Sequence, residues 1–279
     1  MSWNEKNKIR IAILDLNDGH ENQGMRCLRD ITRQWGEVNE YDLIVEEFNV
    51  RVKNEVPGTD FDIYISSGGP GSPLDSIDSE WEKKYFNWLH AMEQWNNNES
   101  NFPKKHAFFI CHSFQLVCRH YHVAKVSKRN STSFGVFPIH PTQEGSDEVV
   151  FEGLKDPFYA VDSRDYQVTA PDYHKINAMG GKILTLEKER PHVPFERAIM
   201  ALRFNDYFIG TQFHPEADPC GMTLHLQKED KKKIFIENYG EKKWKSMVEH
   251  LNDPDKILYT YSHILPNFLN QAVNNFSMA

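Results

Sequence analysis

Lys104-Lys105-His106-Ala107-Phe108-Phe109-Ile110-Cys111-His112-Ser113-Phe114-Gln115-Leu116-Val117-Cys118 is the stretch on which the fold turns. It begins as a short apolar run, residues 107–110, of the kind that suits a strand buried on both faces. It then changes abruptly to a helical pattern, and Cys111 sits at the junction. A cysteine on a sharp strand-to-helix turn is lifted above the end of a sheet, with helix-start amides around it. Such surroundings favour the thiolate and turn a small hydrophobe into a nucleophile. A lone buried cysteine is more often inert. The nucleophilic reading therefore needs a base, an orienting group and oxyanion donors elsewhere in the chain.

Strand and helix patterns alternate on the amino-terminal side of this stretch. Residues 9–16 form a near-continuous apolar run that ends in the polar turn Asn17-Asp18-Gly19-His20. A helix follows, with Met25, Leu28, Ile31 and Trp35 on one stripe and Gly36 as its expected stop. Residues 43–50 and 61–66 read as the second and third strands. Ser79-Glu80-Trp81-Glu82 has the form of a capping box, and Trp81, Tyr85, Trp88, Leu89 and Met92 trace the buried face of a helix. This alternation implies an α/β fold in three layers, a mostly parallel central sheet flanked by helices. Ligands in such folds sit at the carboxyl ends of the strands. The turns at 17–20, 67–73 and Cys111 should then share one rim, which also makes Asp15, Asn17 and His20 rim residues by topology.

From residue 134 to 213 the pattern becomes mainly strands, with runs at 135–139, 159–161, 182–186, 198–204 and 207–212. After Gly221 it turns helical again. The stripe Ile257, Tyr261, Ile264, Leu265 and Phe268 is expected to close the fold, kinked or split at Pro266. No internal repeat or long linker appears, so residues 1–279 read as one domain with 221–279 as a helical C-terminal extension.

The bulk composition narrows the partners. With 279 residues, 39% hydrophobic and 26% charged, the chain has an ordinary globular make-up. A net charge of −8 argues against nucleic acid, since there is no basic stripe to neutralise phosphates. Lys231-Lys232-Lys233 stands beside Lys228-Glu229-Asp230 and reads as a solvated helix face. No apolar run reaches the length of a membrane span, and Met1-Ser2-Trp3-Asn4-Glu5-Lys6 shows no signal-peptide core. Cys27, Cys111, Cys118 and Cys220 do not form a disulfide framework, which points to a reducing cytoplasm. His120 and His122 stand two apart and would not face each other on a helix, so no metal is implied. Cys118 reads as core, and Cys220 could line the rim.

Two further segments carry chemistry. In Gly210-Thr211-Gln212-Phe213-His214-Pro215-Glu216, Pro215 fixes its own φ and keeps His214 extended. Residues i and i+2 of an extended segment project to one side, so Glu216 can orient the ring of His214. Ser66-Ser67-Gly68-Gly69-Pro70-Gly71-Ser72-Pro73 follows a buried strand, and its glycines let a backbone N–H approach a reacting oxygen. It lacks the Lys and Ser/Thr of a phosphate loop.

Taken together, the glycine turn, Cys111, His214 and Glu216 resemble the class I glutamine amidotransferases, in particular the stand-alone glutaminase domain of GMP-synthase type. The resemblance covers about residues 9–216. It implies a flavodoxin-like sheet, no cofactor, and a mechanism in which Cys111 attacks the side-chain amide of glutamine to give a γ-glutamyl thioester and ammonia. It assigns His214 as base and acid, Glu216 as its orienter, and the N–H groups of Gly69 and His112 as the oxyanion hole. Gln115, Ser163, Arg164 and Asp165 are the implied substrate-binding residues. It also implies a separate synthetase subunit to receive the ammonia, or no acceptor at all, and the C-terminal helices could dock that subunit or form a homodimer.

Departures from the family pattern keep other readings open. The elbow glycines are replaced by Phe109 and Ser113, and Phe109 is expected to reshape the packing under the nucleophile. Where the family often reads His-Ser-Asp, this chain reads Ser163-Arg164-Asp165. Arg164 could grip an extra carboxylate, as a free-standing γ-glutamyl peptidase or hydrolase would need, or form a structural salt bridge. The related homoserine acyltransferases use a similar triad. A binding or regulatory protein that has lost turnover through Phe109 is the reading from another class.

Overall fold

Apolar and β-branched residues next to the amino end build the first strand, β1 (Lys8–Asp15), buried from Ile11 to Leu14. The structure, a computed structural model, describes residues 8–20, 22–192, 194–226, 229–253 and 256–276. Met1 to Lys6, read above for a signal peptide, and Lys228, read for a solvated face, lie outside them. The other strands are β2 (Asp42–Asn49), β3 (Ile63–Ser66), β4 (His106–Ile110), β5 (Lys125–Pro141), β6 (Phe158–Thr169), β7 (Lys182–Leu186), β8 (Ile199–Arg203) and β9 (Phe208–Thr211). They form one sheet in the order β2-β1-β3-β4-β9-β8-β7-β5-β6. The four pairings from β2 to β9 are parallel. The four from β9 to β6 are antiparallel, so the parallel half is the one that carries the Cys111 turn.

Helices α1 (Gln23–Val38), α2 (Val50–Lys53), α3 (Glu80–Asn97), α4 (His112–His120), α5 (Gln143–Ser146) and α6 (Tyr173–Ala178) punctuate the strands. Helices α7 (Pro219–Leu226), α8 (Glu229–Tyr239), α9 (Glu241–Asn252) and α10 (Ile257–Asn274) follow the last strand. The sheet separates two cores. On one face Met25, Leu28, Ile31 and Trp35 of α1 pack with Ile264, Leu265 and Phe268 of α10. On the other, Tyr85, Trp88 and Met92 of α3 pack with Phe114 and Val117 of α4. A smaller cluster joins Phe235, Met247 and Leu251 to Val136 and Val161.

Two local expectations need correcting. Gly36 does not stop α1, which runs on to Val38 and is capped by Asn39. A Cβ at Gly36 would stand 2.4 Å from Leu43 Cδ1, so the glycine marks where the helix lies tight against β2. The capping box is half formed: Ser79 accepts from the Glu82 N–H at 3.4 Å, but the Glu82 carboxylate turns to Ser76 and Arg119 instead. Helix α10 is continuous through Pro266, with no split.

Candidate active site

The carboxyl ends of β1, β3, β4 and β9 are brought level by the parallel registers Leu14↔Ser66, Ser66↔Phe109 and Ile110↔Thr211. The three turns expected to share a rim do so. A cleft of about 360 Å³ opens over them, lined by Asn17, Gly69, Cys111, Ser163, Asp165 and His214 among others. His20 also reaches this cleft.

Cys111 stands between β4 and α4 with φ 49° and ψ −96°, a left-handed setting for a residue with a Cβ. The turn is pinned from below. The Cys111 N–H donates to Thr211 O at 2.7 Å. Ser113 Oγ accepts from the Ile110 N–H at 2.8 Å and donates to Ser66 O at 2.9 Å. Ser113, in place of the family's glycine, therefore binds the elbow to β3.

Phe109 does not disturb the elbow as expected. Its ring is fully buried on the α3 and α4 face, edge-on to Trp88, Phe204 and Phe208. The space comes from the facing strand. Gly210 is its register partner, and a Cβ there would meet Phe114 at 2.7 Å and Phe109 Cβ at 3.2 Å. The small residue at this contact is Gly210 of the neighbouring strand.

His214 is fixed by its N–H, which donates to Val161 O at 2.8 Å in a bridge between the end of β9 and β6. Its Nδ1 lies 2.8 Å from Glu216 Oε1, and the Cys111 thiol is its other side-chain hydrogen-bond partner. Burial pulls the imidazole down, but the charges of Glu216 and then Cys111 outweigh it and hold His214 well above its ordinary value. Glu216 is 3% exposed, and its Oε2 has no partner among the described residues. Gly68 passes between the thiol and the ring: a Cβ there would stand 2.9 Å from His214 Cε1 and 3.6 Å from Cys111 Cβ.

Gly69 packs on the end of β1 so tightly that a Cβ would fall 2.3 Å from Leu16 O. Arg51 clamps the turn, donating to Pro70 O at 2.7 Å and Leu16 O at 3.3 Å. Among the described residues no acceptor takes the Gly69 or His112 N–H. The His112 ring is buried, and burial, then Arg51 and Arg119, push it down to about 3. It is therefore neutral, so its expected part rests on the backbone N–H alone.

Residues 163–166 of β6 all line the cleft. Ser163 and Asp165 face the cleft, and Ser163 O accepts from Cys111 Sγ at 3.7 Å. Arg164 also borders the cleft, but its side chain is engaged in ion pairs. Its guanidinium is 1% exposed, with Nε on both oxygens of Asp162 at 2.9 and 3.0 Å and Nη2 on Glu187 at 3.4 Å. Arg164 thus lies at the cleft with its guanidinium held in a buried ion-pair cluster. Gln115 lines the cleft as well. Its Nε2 donates to Gln212 Oε1 at 3.0 Å and to Tyr166 O at 3.4 Å, which makes it a brace.

Gln212 itself escaped the sequence reading. It is fully buried, and its Nε2 reaches Cys111 Sγ at 3.6 Å. The alternation that placed His214 and Glu216 on one side includes residue 212, so the signal was present. Tyr166 and Thr132 also line the cleft and had no sequence signal of their own. Cys118 is core, as read, and Cys220 is exposed. Among the described residues no group of three or more His, Cys, Asp or Glu could hold a metal, and no helix is long and apolar enough to cross a membrane.

The chain resembles several solved structures. A glutamine amidotransferase from Thermotoga maritima is 14% identical with a TM-score of 0.64, covering 95% of this chain and 98% of its own. A glutamine amidotransferase from Methylobacillus flagellatus is 11% identical with a TM-score of 0.57, covering 95% of each. The glutaminase domain of Trypanosoma brucei CTPS with bound acivicin is 12% identical with a TM-score of 0.58, covering 95% of this chain and 94% of its own. No curated protein matches. Identities this low speak for the fold alone. Family membership rests on the sequence model "Glutamine amidotransferase class-I", which matches residues 22–230. A match over most of the chain, on a fold those structures share, makes this protein a member of the class-I glutamine amidotransferase family.

Proposed function

We propose that the chain hydrolyses glutamine, or a related γ-glutamyl amide, with Cys111 as nucleophile. The observation that carries this reading is the pairing of His214 Nδ1 with Glu216 Oε1 at 2.8 Å beside Cys111, whose charge helps to hold the imidazole above its ordinary value. Glu216 holds the proton of His214 on Nδ1 and steadies the imidazolium when the thiol proton passes to Nε2. Cys111 Sγ then bonds to the amide carbon, and the carbonyl electron pair moves to the oxygen. The free N–H groups of Gly69 and His112 are the donors for that oxyanion. As the C–N bond breaks, His214 returns its proton to the leaving nitrogen, giving ammonia or an amine and a γ-glutamyl thioester. Water, deprotonated by His214, attacks the thioester to release glutamate and restore the thiol.

Ser163, Asp165 and Tyr166 are the cleft residues placed to receive the substrate's amino and carboxylate groups. Arg164 lends no support to a peptidase that needs an extra cationic grip, because its guanidinium is already paired. A separate synthetase subunit is the partner such a glutaminase implies. Free cysteines, with a nucleophilic thiol among them, suit a reducing compartment such as the cytoplasm.

The test is to incubate the protein with glutamine and a panel of γ-glutamyl compounds, then measure glutamate and ammonia. Turnover that disappears in Cys111→Ala supports the reading. Equal signals from wild type and Cys111→Ala across the whole panel would sink it. Acivicin, bound in the trypanosomal glutaminase domain, should protect Cys111 from alkylation if the cleft is a glutamine site.

A further inference from the structure

Arg164, the departure that the reaction leaves without a role, belongs to a second constellation. Glu187 Oε1 is shared by three arginines: Arg190 Nη2 at 2.7 Å, Arg129 Nη2 at 3.2 Å and Arg164 Nη2 at 3.4 Å. Asp162, already paired with Arg164, also accepts from Ser133 Oγ at 2.8 Å. Lys188 is exposed and has no ion-pair partner among the described residues. Four cations thus surround two carboxylates. Arg197, Glu189 and Glu196 in the adjoining recess leave the excess positive. This occurs in a chain whose net charge is −8. Burial, and then repulsion from Arg164, hold Arg129 below the usual guanidinium range. The arginines lack a full complement of negative charge.

The cluster walls a cavity of about 700 Å³ that adjoins the Cys111 cleft at Thr132. Arg129, Lys188 and Arg190 line it together with the carboxylates of Asp162 and Glu187. The rest is largely apolar, with Val136, Met200, Phe235 and Met247 contributed by the sheet and by α8 and α9. A cationic wall over an apolar floor matches a ligand with one anionic end and one apolar end.

We propose that this cavity binds a small organic anion, with its oxyanion head group on Arg129, Lys188 and Arg190 and its apolar or aromatic body against Met200 and Met247. We further infer that occupancy is felt at Cys111 through β6. Asp162 and Arg164 face the ion cluster, while Ser163 between them turns its carbonyl to Cys111 Sγ. An anion that takes Arg129 and Arg190 leaves Glu187 to Arg164 alone, which alters the pull on the backbone beside Ser163. The site does not depend on which amide is hydrolysed.

Titration calorimetry on the full chain with phenyl phosphate, benzoate and inorganic phosphate tests it. One of the two aryl anions should bind at a single site roughly tenfold more tightly than inorganic phosphate, and the tighter one identifies the head group. In K188Q/R190Q, where both side chains are exposed, that affinity should fall roughly tenfold with an unchanged Tm. The single variant E189Q is the control and should bind as wild type. Saturation should change the alkylation rate of Cys111, followed on its own peptide by mass spectrometry, by about threefold in wild type and not in the double variant. No saturable binding of either aryl anion at millimolar concentration, or undiminished affinity in K188Q/R190Q, overturns the site. Binding that leaves the Cys111 rate unmoved overturns the coupling.

Discussion

Cys111 occupies a backbone region that costs a residue with a side chain on the order of 1–3 kcal/mol, and Ser113 is the residue that holds it there. Its hydroxyl joins Ile110, at the entry to the elbow, to Ser66 of β3. Ser113→Ala should therefore lose about 1–3 kcal/mol of stability and slow Cys111 alkylation; an elbow held by packing alone would keep the wild-type rate. Gly69→Ala places a methyl 2.3 Å from Leu16 O, so the turn must shift and carry its N–H with it. The expected cost is roughly 10²-fold in kcat for glutamine hydrolysis, with the alkylation rate of Cys111 little changed. His214 supplies a pH signature. Its folded value is raised above the ordinary 6.5, so the stability it contributes is complete below that pH and is lost as pH rises through the folded value. The gap between wild type and His214→Gln in urea melts should be widest at or below pH 6.5 and narrow above it. A gap that widens with pH contradicts the assignment.

At the scale of elements, β4 works as one half of a pair with β9. Phe109 fills the space left by Gly210, so restoring the family's glycine with Phe109→Gly should destabilise the protein by roughly 3–5 kcal/mol. Gly210→Ala should cost about 1–3 kcal/mol by overpacking against Phe114. Guanidinium melts of both variants check this, and a Phe109→Gly protein as stable as wild type would show that the aromatic box is idle. The two ends of β4 also carry an acid sensitivity. His106 opens the strand and His112 begins α4, and both are driven down to about 3, by burial first. Each stays neutral in the fold but takes up a proton on unfolding below the ordinary 6.5. Stability is thus full above that pH and is lost as pH falls towards 3. The loss is on the order of 5 kcal/mol for each ring, and His106→Gln should flatten the slope of melting midpoint against pH between 6 and 4.

For the molecule as a whole, α10 is part of the main core, since Ile264, Leu265, Phe268 and Leu269 are buried with α1 against the sheet. Trp35 Nε1 also donates to Asn270 Oδ1 at 2.8 Å across that contact. Removing residues 257–279 should abolish cooperative unfolding, whereas a detachable extension would leave the melt unchanged; circular dichroism separates the two. The remaining question of scale is which features belong to the chain's local order. Apolar periodicity, Pro215 and the glycine turn disclosed the parallel half of the sheet, its rim and the parity of His214 and Glu216, because each depends on neighbours a few residues away. Gly36 and Glu82 took roles other than the expected ones, and Arg164 and Gln115 gained further partners, because Leu43, Arg119, Glu187 and Gln212 are brought into reach only by the folded chain. The sequence by itself determined the strand-turn-helix that lifts Cys111 and the side of the chain from which its base approaches. Tertiary structure alone decided that Phe109 packs against Gly210, that Arg164 is held in ion pairs and that a second, cationic cavity exists, because close packing and charge pairing are set between residues far apart in sequence.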